Sequence, residues 1–170
     1  MTIQHEPSPS ANDIAPIATR ADFQNAVRAA FVQAAEQGAT EIVIVDPNFA
    51  DWPLSERGVV DTLTRWVDSR RRITVMAHSF DEFARCQIRF VEWRRQWAHV
   101  VHCRRDDELE AEQIPSLMSV PGQVCIRLLD RVRYRGIVSA RPIDLTGCRE
   151  TIDALLQRST EAFPVTTLGL

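Results

Sequence analysis

Residues 41–46 read Glu-Ile-Val-Ile-Val-Asp, so that apolar, mostly β-branched side chains occupy both faces of an extended segment. A strand that is apolar on both faces is typical of a sheet covered by helices on two sides. The preceding segment supports this interpretation, because apolar residues recur at helical spacing from Phe23 to Ala34 and the pattern stops at Gly38. The stretch therefore predicts the first strand of an α/β sheet, preceded by a helix.

The alternation of strands and helices continues along the chain. A second strand is predicted over residues 72–78 and a short third strand over residues 99–103. Between them, one helix is predicted from an apolar stripe whose members are spaced by three and four positions. The stripe consists of Phe83, Cys86, Phe90, Trp93 and Trp97.

The last part of the chain has a different pattern. Two strands, 123–129 and 132–139, are separated only by Asp130 and Arg131, which indicates a tight hairpin. Thr146 is predicted to cap a closing helix. The predicted order is αβαβαβ followed by ββα: an α/β fold with a mixed sheet flanked by helices, parallel in its first half and ending in an antiparallel hairpin.

The 170 residues suffice for one domain with a sizeable core. Residues 1–18 are rich in proline, serine and asparagine and predict a disordered leader. A single α/β domain is expected over residues 19–162, with a tail at residues 163–170.

Composition excludes several functions. The chain has no lysine, so it cannot supply a Schiff-base amine, a pyridoxal phosphate anchor or the lysine of a Walker loop. The net charge of -3 argues against nucleic-acid binding through bulk charge. No apolar run is long enough to cross a bilayer, and no Cys-x-x-Cys pair occurs. These features predict no membrane association, reduced cysteines and a cytoplasmic location.

The hairpin also carries a resemblance. The predicted order of elements over about residues 19–160 resembles one half of a phospholipase D-like fold. The stretch Gln-Val-Cys-Ile-Arg-Leu-Leu-Asp at positions 123–130, followed by Ser-Ala-Arg at 139–141, corresponds to the motif segments of that fold. In that family, a hairpin strand carries His-x-Lys followed four residues later by Asp, and a Gly-Ser-x-Asn segment closes the next strand. The resemblance puts Gln123 at the histidine, Cys125 at the lysine, Asp130 at the aspartate and Ser139 near the serine.

The resemblance implies a degenerate site. The family histidine attacks phosphorus and the lysine binds phosphoryl oxygens, which glutamine and cysteine cannot do. A non-catalytic binding or interaction module follows as the leading hypothesis. Because the family places two halves face to face, a homodimer is expected, with Arg133 and Arg135 near the two-fold axis.

The chain is also similar to a proteobacterial family of phospholipase D-like proteins of unknown function, which is associated with acetyltransferase modules. That similarity implies a protein partner or an accessory role. No Arg-x-x-Gly-x-Gly/Ala loop for acetyl-CoA occurs in this chain, and no cofactor is expected.

Arginines surround the predicted hairpin at positions 131, 133, 135 and 141. Arg131, Arg133 and Arg135 alternate, so they are predicted to share one face of a strand. Such a face would grip phosphate or another anion, including a phosphorylated ligand, and nucleic-acid binding is a further alternative. The competing interpretation is an exposed edge strand whose charges prevent aggregation.

An enzyme is the other hypothesis. The carboxyl ends of parallel strands would bring Asp46, His78 and either His102 or Cys103 to one edge, where they could serve in acid-base or metal chemistry. The alternative is that Asp46 closes a turn before Pro47 and His78 begins a helix cap, and no metal site is predicted. Flanking arginines make Cys103 a candidate redox thiol, although a buried inert thiol is favoured.

Overall fold

The computed structural model describes residues 13–165, which form one mixed sheet of eight strands with helices on both faces. The strands are β1 (Ile14–Ile17), β2 (Glu41–Val45), β3 (Arg72–Met76), β4 (Val101–Arg105), β5 (Ser116–Val120), β6 (Val124–Asp130), β7 (Arg135–Ser139) and β8 (Thr160–Glu161). The helices are α1 (Arg20–Glu36), α2 (Arg57–Trp66), α3 (Asp81–Cys86), α4 (Ile88–Gln96) and α5 (Pro142–Arg158), with a short 3₁₀ helix at Ala111–Gln113.

The sheet has the strand order β1-β7-β6-β5-β2-β3-β4-β8. Strands β2, β3 and β4 are parallel, and the remaining pairs are antiparallel. The predicted α/β class and mixed sheet are confirmed, with a parallel first half and an antiparallel second half.

The core lies on the two faces of this sheet. One cluster packs α1 to α4 against residues such as Ile42, Ile44 and Val75. A smaller cluster packs α5 against the other face, where Val43, Val45 and Leu117 lie. Strand β2 contributes to both clusters, which explains the apolar side chains at every position of the opening stretch except its ends.

The predicted third helix is two helices. The break is at Gln87, whose backbone has φ -112° and ψ 46° and whose side chain is buried. Its amide nitrogen donates to the carbonyl oxygens of Phe49 and Trp52, each at 2.8 Å. Cys86 is exposed, so the prediction that it belongs to the buried stripe is wrong because the stripe changes direction at this break.

A continuous row of aromatic rings runs through the larger core. Successive ring centroids lie 5.2 Å (Phe23 to Trp52), 5.0 Å (Trp52 to Phe49), 5.5 Å (Phe49 to Phe83) and 5.9 Å (Phe83 to Phe163) apart. The pairs of this row are edge-on, the geometry that aromatic quadrupoles favour. The row joins the start of α1 to the segment that follows β8.

The predicted ends of the domain need correction. Residues 14–17 are not part of a disordered leader, because they form β1 and pair antiparallel with β7. The predicted tail also contributes to the fold, since the ring of Phe163 stacks on Phe80 with centroids 5.1 Å apart. The predictions for residues 1–12 and 166–170 lie outside the described residues.

The second half contains a strand that the sequence pattern did not reveal. Strand β5 is buried at all five positions and lies between Pro115 and Pro121, so it shows no alternation and resembles a loop. The hairpin is also wider than predicted, because residues 131–134 form its turn and β7 begins at Arg135. Helix α5 begins at Pro142, and Thr146 therefore lies inside it.

Gly136 in β7 provides a test of this packing. A Cβ atom at this position would lie 2.0 Å from the carbonyl oxygen of Arg127 and 2.9 Å from the Cα of Leu128. We therefore expect Gly136→Ala to lower the free energy of unfolding by about 2 kcal/mol or more, as measured by urea denaturation. Gly58→Ala in α2 is the matched control, because its Cβ would meet nothing within 4 Å. Equal losses in the two variants would contradict the observed β6–β7 register.

Candidate functional site

Strands from both halves of the sheet meet at the edge where β2 ends. The backbone N–H of Asp46 donates to Met76, and that of His78 donates to Pro47, which joins the ends of β2 and β3. Because β5 runs antiparallel to β2, its first residue, Ser116, lies at the same edge, opposite Leu128 of β6. We call the hollow at this position the edge cavity.

Asp46 is a buried charged group at this edge, with an exposed fraction of 8%. Its Oδ2 accepts hydrogen bonds from the backbone N–H groups of Asn48 (3.1 Å) and Phe49 (2.8 Å). Its Oδ1 accepts a hydrogen bond from the hydroxyl of Ser116. The carboxylate thus closes the turn after β2 and links β2 to β5.

The structure does not assemble the predicted group of Asp46, His78 and His102. Nδ1 of His78 lies 3.0 Å from the carbonyl oxygen of Leu109. His102 is level with Thr74 in the middle of the sheet rather than at its edge, and burial followed by the charge of Arg72 lowers its pKa. Within residues 13–165, no cluster of three His, Cys, Asp or Glu side chains is placed to hold a metal ion.

The structure agrees with the favoured interpretation of Cys103 as a buried inert thiol and contradicts the candidate redox role. Burial raises the pKa of Cys103 to about 11, and the nearby Arg94 guanidinium offsets this only partly. At neutral pH this thiol is protonated, and its exposed fraction is 3%. It therefore lacks the thiolate character that a redox-sensing cysteine needs.

The edge cavity has a volume of about 270 Å³, and aromatic rings form one of its walls. Phe23 comes from α1, Trp52 from the loop after β2, and Tyr134 from the turn between β6 and β7. Trp52 is 4% exposed, and its Nε1 has no hydrogen-bond partner in the described part of the chain.

Four charged side chains also line the cavity, and three of them are acidic. Asp46, Asp51 and Glu112 contribute carboxylates, whereas Arg131 is the basic residue among the lining side chains. Nη1 of Arg131 donates to the carbonyl oxygen of Ile114 at 2.8 Å. The lining of the cavity therefore combines aromatic side chains with carboxylates.

Tyr134 connects the two parts of the lining. Burial, a hydrogen bond with Asp51 and the charge of that carboxylate together raise its pKa to about 12, against a smaller opposite effect of Arg20. Asp51 also forms an ion pair with Arg20 at 3.1 Å. The phenol is therefore protonated over the physiological pH range.

The four positions singled out by the family resemblance do not converge on this cavity. Gln123 lies at the opposite end of β6, next to the turn after β5, and Cys125 is buried beneath α5. Asp130 accepts hydrogen bonds from the backbone N–H groups of residues 132 and 133, and Ser139 donates to Asp144 at 2.5 Å. A hydrogen bond with Cys148 and burial raise the pKa of the Cys125 thiol.

The arginines of the hairpin are dispersed. The prediction that Arg131, Arg133 and Arg135 share one strand face is wrong, because the first two lie in the turn and only Arg135 lies in β7. Arg133 approaches Asp130 at 3.8 Å, and Arg141 pairs with Asp144 at 2.7 Å. These guanidiniums do not form one anion-binding face.

Sequence reasoning missed three residues that line the cavity. Ser116 belongs to the unrecognised strand β5, Trp52 lies in the loop between Pro47 and Pro53, and Tyr134 has a left-handed φ of 52° in the hairpin turn. Tyr134 is the sole tyrosine of the chain, which is a signal that could have drawn attention to it.

Comparison of the fold with solved structures identifies its class. TrmBL2, an archaeal chromatin protein whose structure shows a novel mode of DNA binding, superposes with a TM-score of 0.62 and 9% identity over 94% of this chain and 57% of that chain. Nuc from Salmonella typhimurium, a phospholipase D family member, superposes with a TM-score of 0.51 and 12% identity. The match covers 79% of this chain and 90% of Nuc. NucT from Helicobacter pylori superposes with a TM-score of 0.57 and 6% identity. The match covers 88% of this chain and 98% of NucT.

The chain therefore has a phospholipase D-like fold, as the sequence resemblance implied. It spans little more than half the length of TrmBL2. In sequence, neither a protein-family profile nor a curated protein matches this chain. Between residues 13 and 165, no helix has the length and apolar character needed to cross a membrane.

Titration of Tyr134 tests the environment of the cavity. Because the chain has a single tyrosine, tyrosinate absorbance reports on this residue alone. At pH 11 we expect about one tenth of the folded protein to be ionised, compared with about nine tenths for an unperturbed tyrosine. The unfolded chain loses this proton near pH 10, so the contribution of Tyr134 to stability is complete below pH 10 and is lost as the pH rises towards 12.

Asp51→Asn keeps the shape of its side chain and removes its charge, so it should lower the Tyr134 pKa. A midpoint near pH 10 in the folded wild type would contradict the observed burial.

Proposed function

We propose that this chain is a non-catalytic, phospholipase D-like module that binds a small organic cation in the edge cavity. The observation that carries this proposal is that the Asp46 carboxylate is fully engaged in hydrogen bonds within the fold. Both of its oxygens already accept hydrogen bonds from Ser116 and from the turn after β2. No imidazole or thiol lines the cavity in the described residues, and the chain has no lysine.

The choice of a cation rests on the charge of the lining. The lining contains three carboxylates and one guanidinium, and that guanidinium already donates to backbone carbonyl groups. Arg20, outside the lining, pairs with Asp51, which leaves Asp46 and Glu112 without a basic partner among the described residues. The faces of aromatic rings attract cations, and carboxylates add a favourable charge interaction. An amine or quaternary ammonium group with a small apolar body matches both features, whereas phosphate would meet carboxylates.

Glu112 is the residue best suited to test this proposal, because it is exposed and lines the cavity. We expect tetramethylammonium at about tenfold above its Kd to raise the Tm of the wild type by a few degrees. Glu112→Gln should weaken binding because it removes one carboxylate without changing side-chain size. Glu150→Gln on α5 is the matched control and should bind as the wild type does. Thermal denaturation at constant ionic strength measures both effects.

Three results would contradict the proposal. Stabilisation by phosphate but not by tetramethylammonium would restore the anion-binding hypothesis. Hydrolysis of bis(4-nitrophenyl) phosphate that is lost in His78→Ala would support the enzyme at the strand ends. Binding of duplex DNA that weakens steeply with salt would support nucleic-acid recognition by the hairpin arginines.

We further propose that the module is a homodimer that associates through the β6–β7 hairpin. The supporting observation is that two large apolar residues near its turn are exposed, Leu129 by 73% and Val132 by 90%. Arg133 lies in the same turn, Arg135 directly follows it, and both are exposed. A two-fold axis through this turn would bury the apolar side chains of both copies against each other.

Sedimentation equilibrium tests the dimer. We expect the wild type to have twice the chain mass of 19.3 kDa, and Val132→Asp to have the mass of one chain because it buries a charge in the interface. Ile143→Asp on α5 is the control, since Ile143 is 76% exposed but lies on a different element. A monomeric wild type, or a dimer unaffected by Val132→Asp, would exclude this interface.

We place the protein in the cytoplasm as part of the same proposal. Cys125 and Cys148 lie side by side without a disulfide, which suits a reducing compartment.

A further inference from the structure

Arg94 on α4 is a buried guanidinium without a protein counterion. Its exposed fraction is 5%, and within residues 13–165 it forms no ion pair. Its buried Nε has no hydrogen-bond partner. The contact that orients it is aromatic, because its Cζ lies 4.8 Å from the centroid of the Phe163 ring.

Burial of an uncompensated charge is costly, and no neighbouring group within residues 13–165 acts as a counterion for Arg94. The nearby Cys103 thiol cannot serve, because burial raises its pKa to about 11 and leaves it neutral. Glu92 and Glu161 each line a cavity next to Arg94, but neither carboxylate lies within 4.0 Å of the guanidinium. The positive charge is therefore left for a group that the described part of the chain does not supply.

Arg94 lies between two neighbouring cavities. One has a volume of about 420 Å³ and includes Ala98, Val101, Ala162 and Pro164 in its lining. The other, of about 300 Å³, includes the apolar side chains of Ile88 and Val91. Apolar side chains line both cavities beside this unpaired guanidinium, and the carboxylates of Glu92 and Glu161 lie more than 4.0 Å from it. The position therefore suits a ligand that carries an anionic head on an apolar body.

We propose that Arg94 is the anion-binding residue of a second site, which takes a small carboxylate with an apolar body. A guanidinium presents paired N–H donors that match the two oxygens of a carboxylate, and the Phe163 ring packs against the guanidinium of Arg94. The lining of this site shares no residue with that of the edge cavity, so the inference stands independently of the proposed function.

Benzoate is the probe that tests this site, with benzamide as its neutral counterpart of similar shape. We expect saturation-transfer NMR to detect benzoate binding to the full-length wild type, with benzamide bound at least about tenfold more weakly. Arg94→Met replaces the guanidinium with the end of an unbranched apolar side chain. This variant should bind benzoate about tenfold to a hundredfold more weakly than the wild type. Without ligand, its Tm should equal or exceed that of the wild type, because a buried unpaired charge is removed.

Two further variants make the test specific. Arg85→Met is the matched control, since Arg85 is exposed on α3 and lines neither cavity, and its Kd for benzoate should stay within about twofold of the wild type. Arg94→Lys keeps the charge and loses the paired donors, so it should bind benzoate with intermediate affinity. It also provides a folded comparison if Arg94→Met is unstable.

Several outcomes would overturn the inference. Equal binding of benzoate and benzamide would show that the charge is not used. An unchanged Kd in Arg94→Met would place the benzoate elsewhere. Binding of benzoate only by a variant that stops at Val165 would mean that residues 166–170 cover Arg94 in the full chain.

Discussion

The hydrogen bonds of Asp46 join the two halves of this sheet at the edge where the cavity lies. The parallel half ends at β2, and the antiparallel half begins at β5. The Asp46 carboxylate accepts a hydrogen bond from Ser116 on the second half while it holds the N–H groups of the turn after β2. Removal of one partner would leave a buried polar group unsatisfied, which is why a carboxylate can be retained here for structure alone. The position and shape of the edge cavity depend on this junction.

The parallel half of the fold could be predicted from sequence because its signals are local. The β-branched run at residues 41–46 and the helical spacing from Phe23 to Ala34 each identify one element, and the structure contains both. The capping interaction at Thr19, whose hydroxyl accepts from the N–H of Asp22, is equally local. The phospholipase D-like class followed from the order of such elements.

The elements that could not be predicted depend on distant partners. Strand β1 pairs with β7 more than a hundred residues away, and β5 is identified by its position between β2 and β6. The break at Gln87 likewise follows from carbonyl groups on another loop, at Phe49 and Trp52. For the candidate site, Asp46 could be placed at a sheet edge in advance, but not its partner Ser116. The arginine pattern misled because alternation was assumed to continue through a turn.

The row of aromatic rings extends from one proposed site to the other, so the packing of these rings contributes to the free energy of both sites. It begins at Phe23 and Trp52 in the wall of the edge cavity. It ends at Phe163, whose ring packs against the guanidinium of Arg94. A ligand that prefers one packing of these rings changes the free energy of that packing at both ends, and such coupling is reciprocal. Binding of a cation in the edge cavity and binding of a carboxylate at Arg94 would then be linked equilibria. Each ligand would alter the affinity for the other by the same factor.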